Sequence, residues 1–376
     1  MTDPGWASWS NGLLVVAVLT YGTAMTGYAA EFAFGGRPGQ AGQAGRAGRA
    51  GRPRGTRRRP RPVAHAASSV EALERPVATP TAVEVPAVPA YLRPAAAPAA
   101  DPLAEDPPAA TRRGLVLGRV AVALTVLGWA AHLGSVVTRG LAAHRTPWGN
   151  MYEFSCAITL AAVTAYLVVL ARRPVRYLGV FVMLPVVVTL GLAGTVLYAR
   201  AEPLQPALQS YWLKIHVTAA IIAWGTFLVG AVQTTLYLTK ERWERRVAAA
   251  AAPGGGGAGS LSGGGIMRRL PSAAALDIAS YRTIAFAFPI WTFAIIAGAV
   301  WAEAAWGRYW GWDPKETWSF ITWVIYAGYL HARATAGWTG RRAALVALAG
   351  FSSLTIDYYV VNLVVSGLHS YAGVGA

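Results

Sequence analysis

The side chains in this chain best suited to nucleophilic or metal chemistry are one cysteine and six histidines. A single Cys156 excludes a disulfide framework, a Cys-rich zinc site, a CxxC redox pair and a CxxCH attachment motif. The chain is therefore neither a thiol oxidoreductase nor itself a c-type cytochrome. Of the histidines, His65 falls in a low-complexity stretch, and His132, His144, His216, His331 and His369 fall in or beside apolar runs. His216, in SYWLKIHV, lies about one turn inside one such run, and His369, in GLHSYA, lies just past another. Two imidazoles on different helices could ligate one iron from opposite faces. His331 lies 17 residues beyond Pro314, about 26 Å along a helix at ~1.5 Å per residue. It reads either as an intramembrane functional group or, with Arg333 nearby, as an interfacial hydrogen-bonded side chain. His132 and His144 read as structural. Asp357 is a further ionisable group in an apolar run, with no obvious partner in the sequence.

Six of the fifteen tryptophans lie between Trp301 and Trp323, in WAEAAWGRYWGWDPKETWSFITW. An interfacial aromatic belt would scatter Trp and Tyr over many helix ends, whereas these crowd one connection. Gly307 and Gly311 allow tight turns there, and Asp313, Pro314 and Glu316 have the spacing of N-cap, N1 and N3 in a capping box that opens a helix. An aromatic platform so fixed suits a large, flat, apolar ligand. A porphyrin meets that description, and its iron commonly takes imidazole ligands.

The elements that must position these groups are membrane helices. Of the 376 residues, 55% are hydrophobic and 13% charged, with a mean hydropathy of +0.39. Soluble domains carry about 25% charged residues. A nucleic-acid partner is thereby excluded as the explanation of the +16 net charge. Runs long enough to cross a bilayer, roughly 20 residues, occupy about 11–31, 115–137, 154–171, 177–198, 212–238, 283–304, 314–334 and 343–366. The expected fold is an all-α polytopic membrane protein of about eight transmembrane helices joined by a Trp-rich outer loop. Residues 1–35 read as a retained anchor, since no basic segment precedes the first apolar run. Residues 36–113 read as a disordered Arg/Pro/Ala-rich cytoplasmic linker, with nine arginines and no acid from Arg37 to Arg61. Eight glycines between Pro253 and Gly265 mark a flexible cytoplasmic insertion, at about 250–268. Alternating loops then place 27 of 33 basic residues inside, with both termini and the Trp-rich loop outside a cell membrane. The inner charge is free to meet anionic lipid.

The residues also resemble a family. TPWGNMYEF, LQSYWLKIHV, LDIASYR, WGRYWGWDPKETW, YLHAR and VNLVVSGLHSYA are similar, in that order, to motifs of haem-handling proteins with a WWD domain. Within these, the chain most resembles the CcsA/ResC-type subunit of system II cytochrome c synthases, over about 115–373, so that 114–373 reads as the assembly domain. The resemblance implies cytochrome c biogenesis. Haem b, as substrate, would pass from the cytoplasmic side to the outer face and be presented there to the CxxCH of an apocytochrome c. It implies that His216 and His369 are the external haem ligands, while Trp306, Trp310, Trp312 and Trp318 orient the haem edge and Asp313 holds the loop. His331 matches the family's intramembrane histidine, paired with one from a ResB-type partner. No segment here resembles that partner's outer domain, so the partner is expected to be another polypeptide, and the chain a subunit of a haem lyase complex. Two alternatives carry different functions: a system I haem-delivery subunit working with an ABC transporter, and a haem b electron-transfer subunit with permanent haems. The NMYE segment and eight-span layout disfavour the first, and ligands at two depths on separate helices disfavour the second.

Overall fold

The computed structural model describes residues 3–34, 112–201, 209–251 and 265–369. The linker at 36–113, with His65, lies outside the described residues except for its last two positions, as does most of the glycine-rich insertion. The helices are α1 (Pro4–Phe34), α2 (Arg112–Ala143), α3 (Met151–Arg172), α4 (Gly179–Thr195), α5 (Tyr211–Ala251), α6 (Ala273–Trp306), α7 (Pro314–Thr335) and α8 (Gly340–Ile356). No strand occurs among the described residues. The protein is an all-α polytopic membrane protein.

Seven of these helices are long and apolar enough to cross a membrane among the described residues. The expected span at 314–334 is also helical, as α7, but Lys315, Glu316 and Arg333 make it more polar than the rest. Helix ends differ most from the apolar runs at α5, which continues 13 residues past the expected 238. Hydropathy marks where apolar side chains stop, not where backbone hydrogen bonding stops. The extension is polar and carries i,i+4 ion pairs, Arg245 to Glu241 at 2.8 Å and Lys240 to Glu244 at 3.6 Å.

Between apolar helices in lipid, close packing and polar contacts take the place of a hydrophobic drive. Helix α1 buries Leu14, Ala17, Tyr21, Ala24 and Tyr28 at alternating three- and four-residue spacing, and α2 answers with Gly118, Ala121, Thr125 and Gly128. The small residues admit the tyrosine rings, and the hydroxyls find partners: Tyr28 with Thr125 at 3.0 Å, Tyr21 with His132 Nδ1 at 3.4 Å. His132 is thus buried in the α1–α2 seam. Helix α5 packs on α3, α6 and α8, and α7 lies against α6 and α8. The Phe227 ring of α5 stacks on Tyr326 of α7 at 4.1 Å between centroids. Two helix ends shape the Trp-rich connection. Gly307, at φ 72°, ends α6 in the left-handed region that glycine adopts without strain. Asp313 opens α7 with the expected capping box, in which Glu316 Oε2 accepts from the Asp313 amide at 3.0 Å.

Candidate functional site

His216 comes from the first turns of α5, and its position is set by α6. Its Nδ1 lies 2.7 Å from the carbonyl oxygen of Ala294. A carbonyl only accepts, so Nδ1 carries the proton and Nε2 keeps its lone pair. The approach depends on Gly298, because a Cβ there would stand 2.7 Å from His216 Nδ1. The imidazole stacks on Trp301 at 6.0 Å between centroids and 10° between planes.

His369 comes from the segment after α8. Its Nδ1 lies 2.7 Å from Asp313 Oδ2, while Asp313 Oδ1 accepts from the Leu368 amide at 2.7 Å. The N-cap of α7 therefore also clamps the chain that carries the histidine. Burial pushes the Asp313 carboxyl upward, but the hydrogen bonds from His369 and Leu368 outweigh it and hold the group below its ordinary value. Burial lowers the His369 imidazole, and Asp313 offsets only part of that. His369 is accordingly neutral at pH 7, with Nε2 free to ligate. Its ring meets Trp301 edge-on at 5.5 Å and Trp306 at 4.9 Å. Trp301 touches both histidines.

Both imidazoles line one open cavity of about 1350 Å³, mouth included, walled by α5, α6, the start of α7, the end of α8 and the loop before α3. That loop is held by Glu153, buried at 1% exposure, which accepts from Arg139 at 3.0 Å, Arg145 at 2.7 Å and the Gly149 amide at 2.9 Å. Trp148 and Asn150 reach the cavity wall from this loop. Among the described residues no three His, Cys, Asp or Glu side chains gather as a metal-ion cage. Two imidazoles on one cavity, each oriented by an acceptor on its Nδ1, suit a metal whose equatorial positions a macrocycle already fills.

The structure brings His216, His369, Asp313, Trp306 and Trp310 together. Trp310 lines the cavity, and Trp306 abuts His369. Trp312, 67% exposed and at φ 59°, packs edge-on against Trp310 and Phe320 outside the cavity lining. Trp318 is half-buried and also outside the lining. His331 is exposed on α7, away from the cavity. Sequence reasoning assigned no role to Trp301, the ring that both histidines touch, or to Gly298. Trp301 was one of six tryptophans with nothing to single it out, and a glycine in an apolar helix carries no local signal.

A polytopic helical membrane protein with a tryptophan-lined, histidine-flanked cavity is the class defined so far. Residues 148–369 match the family described as cytochrome C assembly protein. The chain is 35% identical over 302 residues to the cytochrome c biogenesis protein CcsA of Gloeobacter violaceus, covering 70% of this chain and 89% of that one. It is 36% identical to the CcsA of Microcystis aeruginosa over 291 residues, covering 68% and 87%. Against the CcsA of Heterosigma akashiwo it is 36% identical over 245 residues, covering 60% and 76%. The chain belongs to the cytochrome c assembly family, as a CcsA-type protein of system II cytochrome c biogenesis.

Proposed function

We propose that this protein holds haem b as a substrate at the outer face of the cell membrane, between His216 and His369, and presents it for attachment to apocytochrome c. The carrying observation is that each histidine spends its Nδ1 proton on a fixed acceptor, Ala294 or Asp313, and lines the same cavity with Nε2 left for iron. Thioether formation adds each cysteine thiol of CxxCH across a haem vinyl, the sulfur bonding to one vinyl carbon and a proton ending on the other. No electron is lost or gained in that addition. Positioning supplies much of the acceleration in such a reaction. This chain's part is to fix the ring by two ligands and an aromatic wall at Trp301 and Trp310, with Trp306 packed behind His369. The CxxCH histidine then displaces one of the two imidazoles, and the product leaves.

The subunit acts with a ResB-type membrane partner. His331 supports that reading because it is exposed on α7, where a second chain can reach it, and haem in transit would be shared there between the two proteins. In this reading residues 1–35 anchor the chain, 36–113 form a cytoplasmic linker and 114–373 form the assembly domain. The test is to purify the complex carrying His216→Ala or His369→Ala. Each is expected to lose the low-spin bis-histidine spectrum and to stop maturation of a CxxCH reporter, with added imidazole restoring ligation. Unchanged spectra and maturation in both variants would refute the proposal.

A further inference from the structure

The cavity extends well beyond the two histidines. Trp224 lies eight residues past His216 on α5, and Trp291 seven before Gly298 on α6, each about 10–12 Å deeper at ~1.5 Å per residue. Both are 5% exposed and line the cavity, and neither indole Nε1 has a hydrogen-bond partner among the described residues. Buried N–H groups are ordinarily paired, so two unpaired donors on one cavity wall point to an acceptor supplied by the occupant. Lys315 contributes the single Lys or Arg side chain of the lining. It attracts Asp357, which stands on a π-helical turn, Asp357–Val361, that continues α8. Such turns often mark functional positions in helices. Asp357 is 9% exposed and its Oδ1 is also unpaired, so Lys315 and Asp357 attract without fully satisfying one another.

We propose that the cavity inward of the histidines is a carboxylate subsite, in which Lys315, reaching in from the first turn of α7, supplies the charge and the indole N–H groups of Trp224 and Trp291 the hydrogen bonds. Resting on the haem reading above, its occupant is a propionate of the haem. The two propionates of haem b sit opposite its two vinyls. Seating the acid edge inward therefore turns the vinyl edge toward the Trp-rich loop, where the thiols of a peptide arrive. Asp357 attracts the ammonium when the subsite is empty and opposes the incoming carboxylate when it fills.

The test compares ferric haem b with its dimethyl ester, titrated into the purified full-length protein and followed by the Soret band. The native protein is expected to prefer the free acid by about tenfold or more, the scale of a charge-assisted hydrogen bond. Lys315→Met should abolish that preference while the bis-histidine spectrum persists. Lys315→Arg should retain it, Trp291→Phe should reduce it severalfold, and Asp357→Asn should increase it. Each variant is judged by the ratio of two affinities in one preparation, so a partly inactive sample leaves the result readable. Equal affinity for acid and ester in the native protein, or an unchanged ratio in both Lys315→Met and Trp291→Phe, overturns the subsite. Failure of both probes to give a bis-histidine spectrum would instead overturn the haem reading on which it rests.

Discussion

At the scale of single residues, the site depends on what holds each imidazole. A Cβ at position 298 would press to 2.7 Å from His216 Nδ1, against a ring already stacked on Trp301. Gly298→Ala is therefore expected to cost about 1–3 kcal/mol of ligand binding through overpacking, measured as a rise in the haem dissociation constant with the fold intact by circular dichroism. Asp313 acts on His369 differently. Protonation of Nε2 competes with iron, and burial has moved that competition below the ordinary imidazole value. Binding should thus be lost at a lower pH than an exposed imidazole ligand would allow. Asp313→Asn removes the carboxylate that favours the imidazolium, so the acid limb should move to still lower pH. The lost orientation should meanwhile weaken binding roughly tenfold or more at neutral pH, as second-sphere changes do. A titration of the Soret band against pH reads both effects, and an acid limb moved upward would contradict the assignment.

At the scale of elements, the cavity is assembled from helix ends, and each end has its own fastening. Helix α7 begins at a capping box whose Asp313 also clamps the segment after α8. The loop before α3 is fastened by Glu153 to two arginines and a backbone amide. Removing one partner of a buried charge cluster leaves the others uncompensated, a change worth about 3–5 kcal/mol. Glu153→Ala should accordingly lower the unfolding midpoint in detergent by several degrees and loosen the Trp148–Asn150 wall, which tryptophan fluorescence would report. A midpoint equal to that of the native protein would show that the cluster is only superficial. The tryptophan-rich connection follows the same logic: Gly307 ends one helix, Asp313 starts the next, and the five residues between, 308–312, have little freedom left.

At the scale of the whole molecule, the two ends of the bundle differ in kind. The histidine cavity opens at the starts of α3, α5 and α7 and the end of α6. A second cavity, of about 1560 Å³, lies at the opposite ends of α3 and α6, and Arg172, Arg173, Arg268, Arg269 and Arg282 line it. Cations collect on the cytoplasmic side of membrane proteins, so this polarity supports placing the tryptophan-rich loop outside. With Cys156 replaced by Ser, a cysteine introduced at Ser210 should react with an impermeant maleimide added to whole cells, and one at Thr339 only after lysis. The reverse pattern would invert the topology.

Sequence alone was enough to show the membrane class, the helices to within a few residues at most ends and the capping box at Asp313, and to single out His216 and His369, which the structure places on one cavity. Those features are local or periodic: apolar runs, a cap spacing, a rare residue type at the end of a run. The histidines were legible because an imidazole beside an apolar span stands out from its neighbours. What the tertiary structure decided is which groups meet. Gly298 gains its meaning from a ring on another helix, Trp301 from touching two histidines 153 positions apart, and Asp313 from a carboxylate shared between a cap and a distant imidazole. Likewise Trp224, Trp291, Lys315 and Asp357 come from four helices or helix extensions, and only packing places them around one space. Contacts between elements leave no periodic trace in a single chain, because each partner is chosen by geometry that no stretch of residues contains.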